Sequence, residues 1–256
     1  MGTSSKIVEE VKLNISSIIP EEHRSVITPS GEIFISGGYN SEKQRTIDSF
    51  FKFNFLQKIF SPRPSMKTCR KSHAIICVDK FIYVLGGIDE KEEVLNKCEK
   101  FDLEKEVWIP ISNMQRKSCF FNVISFEKSI IFKFYSSNNY NYTEKYDILK
   151  NSWVDVPLKA EKNFVFPALS NGCQINNKKI LIFGGIKEEK QTKKCYICKI
   201  EEELVISNFK LDLPIEGYSE QSCYYDGGFI WAVLDNSKES DKIFIRMNED
   251  KWTMLN

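Results

Sequence analysis

Along the chain, short runs of β-branched and aromatic residues end in paired glycines: Ile33-Phe34-Ile35-Ser36-Gly37-Gly38, Ile82-Tyr83-Val84-Leu85-Gly86-Gly87 and Ile180-Leu181-Ile182-Phe183-Gly184-Gly185. Two further runs fit the same place with the glycines replaced, Ile131-Phe132-Lys133-Phe134 before Tyr135-Ser136 and Ile230-Trp231-Ala232-Val233 before Leu234-Asp235. The ends of these runs fall at 37, 86, 135, 184 and 234, so the spacings are 49, 49, 49 and 50. A constant period of this size is the mark of a repeat architecture.

Two more landmarks keep the same time. An apolar residue followed by Asp, Asn or Glu comes 11 to 16 residues later, at Phe53-Asn54, Phe101-Asp102, Tyr146-Asp147, Ile200-Glu201 and Met247-Asn248, and reads as a strand ending in a turn. A large aromatic follows at Phe60, Trp108, Trp153 and Trp252, with Phe209 a looser match, and a proline closes most units, at Pro62, Pro110, Pro157 and Pro214. Each period therefore holds four short β runs separated by polar turns. A four-stranded sheet apolar on both faces cannot cover itself, so each must bury its faces against its neighbours.

An apolar strand ending in Gly-Gly, then a Tyr-Asp-like pair, then Trp, resembles the Kelch repeat. The second repeat carries the likeness best, from Met66 through His73-Ala74, Gly86-Gly87 and Phe101-Asp102 to Trp108-Ile109-Pro110. The resemblance implies an all-β fold, a Kelch-type β-propeller of four-stranded blades in a single domain over residues 1–256. It has five complete repeats, at about 22–64, 65–114, 115–160, 161–215 and 216–256. Residues 1–9 read as a polar leader and 10–20 as one more outer strand. Kelch rings usually have six or seven blades, so the extra strand leaves two readings open: a chain taken from a longer protein with the rest of a sixth blade missing, or a ring that closes irregularly. Repeats three and five depart from the pattern by lacking both glycines, and repeat four lacks a clean Trp.

Composition narrows the function. With 36 basic and 35 acidic residues the formal net charge is +1, so no overall field recruits nucleic acid or an anionic membrane. The start lacks the apolar stretch of a signal peptide, and no run approaches the roughly 20 apolar residues that span a bilayer. We expect a cytoplasmic protein whose eight cysteines stay reduced. Gly2 fails the myristoylation pattern at Lys6, and the sequons at Asn14 and Asn141 are chance matches in a protein that is not secreted.

The loops leading into the first strand of each repeat carry a basic and hydroxyl pattern: His23-Arg24-Ser25, Arg70-Lys71-Ser72-His73 and Arg116-Lys117-Ser118. In Kelch domains that recognise peptides, Arg and Ser at such positions contact the partner's carboxylates. The resemblance therefore makes Arg24, Ser25, Arg70, Ser72, His73, Arg116 and Ser118 the candidate partner-binding residues, suited to an acidic or phosphorylated segment of another protein. The competing reading pairs these residues with the protein's own acids. Cys195-Tyr196-Ile197-Cys198 has zinc-like spacing, but residues three apart on a strand face opposite ways and nothing completes a tetrahedral set. Cys77, Cys119, Cys173 and Cys223 are expected in first strands as packing residues, and the acidic runs at 89–93 and 187–190 as solvated turns.

No phosphate loop, nucleophile elbow or HExxH appears, and two histidines do not make a catalytic metal site. We expect no cofactor, no metal and no catalysis. The expectation is an interaction module or scaffold, in one version the substrate-recognition part of a ubiquitin-ligase adaptor. A Kelch-type enzyme acting on a small sugar or metabolite in the central pocket is the alternative.

Overall fold

The computed structural model describes residues 19–54, 57–137, 140–217, 224–226, 229–235, 242–248 and 251–255. The leader and almost all of the outer strand expected at 10–20 lie outside them. The described elements are all strands, and they form four-stranded antiparallel sheets that follow one another along the chain.

The first sheet is built from Arg24–Ile27, Ile33–Ser36, Phe50–Asn54 and Ile59–Arg63, paired in chain order. The second repeats this with Ala74–Val78, Phe81–Leu85, Cys98–Asp102 and Val107–Ile111, and the third with Asn122–Phe126, Ile130–Ser137, Tyr140–Asp147 and Ser152–Asp155. The fourth holds Asn171–Asn176, Lys179–Phe183, Cys195–Ile200 and Leu204–Asn208. The fifth holds Tyr224–Asp226, Phe229–Asp235, Lys242–Asn248 and Lys251–Leu255. The first strands of successive sheets stand side by side in chain order, the arrangement of propeller blades about an axis.

Burial explains why the second strands are mostly apolar on both faces. Ile82 and Val84 pack toward the first sheet with Phe34, Phe50 and Trp108, whereas Tyr83 and Leu85 pack toward the third with Ile131, Tyr146 and Trp153. The alternation recurs in the fourth sheet, where Ile180 and Ile182 meet Phe132 and Phe134 while Leu181 and Phe183 meet Trp252. A strand with period-two side chains and a neighbour on each face admits a polar residue only where a buried partner meets it, as His73 meets Ser36 and Glu144 meets Lys133.

Each sequence landmark has a mechanical role. Asp102 Oδ1 accepts from the backbone N–H groups of Glu104 (3.0 Å) and Lys105 (3.1 Å), closing the turn between third and fourth strands. Asp147 does the same for Lys150 at 2.9 Å, and Asn54 for Gln57 at 2.9 Å. Two tryptophans staple their sheet to the loop before it: Trp108 Nε1 donates to Pro64 O at 2.7 Å and Trp153 Nε1 to Ser112 O at 2.9 Å.

The first glycine of each pair lies under the entry loop of the next sheet, and the second under the entry loop of its own. A Cβ on Gly37 would meet Arg70 O at 2.2 Å and one on Gly38 would meet Glu21 O at 2.6 Å; Gly86 and Gly87 face Ser118 O (2.5 Å) and Lys71 O (2.6 Å). All four have positive φ. In the third repeat, where Tyr135-Ser136 replaces the glycines, the strand runs on through Ser137 and makes a long hairpin with Tyr140–Asp147. Side chains take over the contact with the next loop: Ser136 Oγ donates to Phe166 O at 2.7 Å, and Asn141 bonds Phe164 O (2.8 Å) and Phe166 N (2.9 Å).

The fourth sheet gains a strand. Leu158–Lys159, on the way from the third sheet, pairs in parallel with Leu204–Val205 and covers the outer edge. Cys195 and Cys198 face opposite ways into different apolar clusters, and burial pushes both thiols up to about 12. Cys77 and Cys173 sit in first strands as expected, but Cys119 lies in the loop before Asn122, because the strand begins only after the turn at Phe120; Cys223 is outside the described residues.

Candidate functional site

The entry loops gather at one end of the molecule and are lashed together by backbone. Glu22, Ser72, Phe120 and Leu169 hold φ of 53, 51, 54 and 53°, each two residues before a first strand. Ser72 N donates to Glu22 O (3.1 Å), Phe120 N to Ser72 O (3.1 Å) and Leu169 N to Phe120 O (3.4 Å). Non-glycine residues enter this conformation at a cost and are held there by their surroundings. The belt makes Arg24, Ala74, Asn122 and Asn171, two residues further on, equivalent positions around the end of a central cavity of about 610 Å³, which all four line.

The seven candidate residues divide by burial. Arg70 is fully buried: its Nη1 donates to Gly86 O (2.6 Å) and Lys97 O (3.1 Å), and Nη2 pairs with Glu99 Oε1 at 2.8 Å. Glu99 Oε2 accepts from Lys67 N at 2.8 Å. Ser72 is buried with its hydroxyl donating to the Glu22 carboxylate, and Ser118 is buried against Arg116 O at 3.3 Å. His73 is buried with Nε2 on Ser36 Oγ at 2.7 Å; burial, then Arg70 and Arg24, hold its pKa well below the usual histidine value, so the ring is neutral. Arg24 is buried with Nη1 on His23 O at 3.0 Å, and Ser25 is half-buried in its strand.

Arg116 keeps an exposed fork. Its side chain is 38% accessible, pairs with Asp155, and lies 4.8 Å from the ring centre of Tyr142, which stacks on Tyr135. Tyr140, at the tip of the same hairpin, is 69% exposed. Arg116, Tyr140, Tyr142, Asp155, Leu158 and Phe164 line a shallow groove of about 590 Å³ beside the third sheet.

Three arginine forks presented in a row are therefore not what the entry loops display; of the three, Arg116 reaches solvent. The reason is register. Gly38 N bonds Arg70 O and Gly87 N bonds Ser118 O, both at 2.9 Å, so the structural counterpart of Arg70 is Ser118 and not Arg116. In the third repeat the inner cation comes from the second strand instead: Lys133, fully buried, pairs with Glu144 Oε1 at 2.7 Å and bonds Arg116 O at 3.0 Å, while Glu144 Oε2 accepts from Gln115 N at 2.8 Å. The buried carboxylates had a signal that the landmark reading passed over, the repeated Glu-Lys-aromatic-Asp of Glu99–Asp102 and Glu144–Asp147. The acidic turn at 89–93 is solvent-facing, with Asp89 Oδ1 accepting from Lys91 N at 2.8 Å and Glu93 N at 3.0 Å.

Known proteins agree with this geometry. A family model described as the Kelch motif matches residues 69–115, the second sheet with its entry loop. Human Kelch repeat and BTB domain-containing protein 2 is 30% identical over 105 residues, which is 34% of this chain and 17% of that protein. Rat Kelch-like protein 38 is 24% identical over 167 residues, covering 63% of this chain and 28% of the relative. Alpha-scruin of Limulus polyphemus is 24% identical over 168 residues, covering 60% of this chain and 18% of that protein. The chain thus spans less than a third of the length of the curated relatives it matches. Repeated four-stranded sheets, glycine pairs pressed under neighbouring loops and tryptophan staples thus go with a second repeat that matches the Kelch motif and with similarity of the chain to Kelch repeat proteins.

Proposed function

We propose that this chain is a protein-interaction module that docks another protein on the loop-rich face, with the third sheet's hairpin at the centre of the contact. The observation that carries the reading is the cluster of Arg116, from the entry loop, with half-buried Tyr142 and exposed Tyr140 on the long hairpin that replaces the glycine pair in the third repeat. Arg and Tyr dominate the energetics of protein interfaces, because each joins a large apolar body to a directional polar tip. An acidic or phosphorylated segment suits the site: it would take the Arg116 fork in exchange for Asp155, whose side chain is 58% accessible. Arg24, Ser25, Arg70, Ser72, His73 and Ser118 then act from behind, fixing the loops that shape the face.

The proposed setting is the cytoplasm, and relatives named for a BTB domain and for an F-box support a version in which the repeats select the substrate of a ubiquitin-ligase adaptor. The test is affinity capture with the unaltered chain and with Arg116→Glu/Tyr140→Ala. Loss of the captured proteins, with the melting temperature held within about 2 °C because surface substitutions cost little, is the expected result. An unchanged set of captured proteins would remove the hairpin from the interface.

A further inference from the structure

In the first, second and fourth sheets the loop after the outermost strand returns to its own sheet and bonds the backbone two residues before the third strand. Met66 N donates to Asp48 O (2.9 Å), Met114 N to Asn96 O (3.0 Å) and Leu213 N to Lys193 O (2.7 Å). In the third sheet the equivalent position is Asn141, which the long hairpin has drawn into the third strand itself. There the loop is diverted to the neighbouring sheet. Leu158–Lys159 pairs with Leu204–Val205, and the Glu161 carboxylate accepts from Asn208 Nδ2 at 3.2 and 3.4 Å. A turn with Asn163 at φ 67° and Phe164 N on Glu161 O (3.0 Å) completes the detour. The Asn141 side chain reaches across to Phe164 O and Phe166 N, but its backbone is left behind.

The strand pattern fixes where that backbone points. Val156 N donates to Thr143 O at 2.9 Å, so Thr143 turns its backbone groups to the outer edge, as does every second residue, Asn141 among them. Ser152–Asp155 pairs with Glu144–Asp147 and stops short of Asn141. Among the described residues nothing bonds the Asn141 N–H or C=O. A free donor and acceptor on a strand edge form a template for another strand. The outer strands of the first and second sheets carry Pro62 and Pro110, which blunt such pairing, whereas Tyr140–Asp147 and Ser152–Asp155 hold no proline.

This edge opens on the groove of about 590 Å³ beside Arg116. Side chains alternate across it. Asn141 faces Phe164 and Phe166, whereas Tyr142 lies on the other face with Arg116, and Tyr140 shares that face by the two-residue period. A residue paired opposite Asn141 therefore lays its side chain on half-buried Leu158 and Phe164, and its two neighbours turn toward the Arg116 fork and the tyrosines. An apolar residue between two acids fits that alternation.

We infer that the groove takes an extended segment of the partner as an added strand, antiparallel to Tyr140–Asp147, its main chain exchanging both hydrogen bonds with Asn141. The acidic flanks rest on the docking reading around Arg116; the pairing rests on the strand edge.

The test peptide is acetyl-Gly-Ser-Thr-Glu-Leu-Glu-Thr-Ser-Gly-amide, whose single apolar residue fixes the register, labelled for fluorescence anisotropy and titrated with the purified chain. Methylating the leucine nitrogen removes the one N–H aimed at Asn141 O and should weaken binding about tenfold or more. Methylating either glutamate nitrogen, whose N–H points away from the edge, should change it less than about twofold. Arg116→Glu, or lysines in place of both glutamates, should weaken it about tenfold. Equal effects of methylation at the three nitrogens, or no binding of the parent peptide, would overturn the added strand. Binding that keeps the methylation pattern but ignores Arg116→Glu supports the strand and sinks the docking reading. Binding that needs Arg116 but ignores methylation does the reverse.

Discussion

Arg70→Ala should be among the most destabilising single substitutions in the protein, lowering stability by about 3–5 kcal/mol, the usual consequence of stripping one partner from a buried ion pair. The guanidinium is inaccessible, and its removal strips Glu99 Oε1 and Gly86 O of their donor and leaves Lys97 O with the Gly86 N–H alone. Gly86 and Lys97 flank the turn between second and third strands, and Gly38 N holds Arg70 O from the first sheet, so the damage spreads to the junction of two sheets. A melting temperature lower by about 10 °C follows for a chain of this size. The control is Arg70→Met with Glu99→Leu, which replaces both charges by apolar groups and should recover most of the loss. If the double variant is no more stable than Arg70→Ala, the pair is not the source of the effect.

Gly86→Ala should be comparably damaging for a different reason. At φ +59° a Cβ costs about 1–2 kcal/mol before any contact is counted. The same Cβ would sit 2.5 Å from Ser118 O, and that oxygen cannot move away without breaking its bond from Gly87 N at 2.9 Å. Gly31 provides the comparison: its φ is +82°, yet nothing lies within 4 Å of an added Cβ. Gly31→Ala should therefore cost only the conformational part, about 1–2 kcal/mol, and the difference between the two in urea unfolding measures the crowding between sheets. Equal losses would mean that the glycine pair serves only backbone conformation.

Both substitutions act at junctions, and junctions are where reading the chain alone reached its limit. The glycine pairs, the Asp turns and the tryptophans were visible as residue types at a fixed interval, and each does a local job that its chemistry dictates: positive φ, a side chain that caps a turn, an indole N–H that needs an acceptor. The arginines were visible too, but their direction was not. The shared Arg-Lys-Ser pattern matched Arg70 with Arg116, two residues out of register with the true counterpart Ser118, and two residues in a tight loop separate a fully buried guanidinium from one that reaches solvent.

The third repeat shows the same boundary. Its missing glycines were legible as an irregularity, whereas the long hairpin, the Arg116–Tyr142 stack and the substitution of Lys133 for the arginine of the second repeat emerged only in three dimensions. A cation was required at that place because Glu144 is buried, and a buried carboxylate accepts a charge from whichever strand can deliver one.

By itself, then, the sequence determined that the chain would form repeated four-stranded sheets, since the alternation of apolar residues, the turn formers and the period are properties of neighbours along the backbone. The tertiary structure alone decided which charged side chains face inward. That choice is made between sheets, by loops about fifty residues apart in sequence whose positive-φ corners bond to one another and set the level of every side chain that follows.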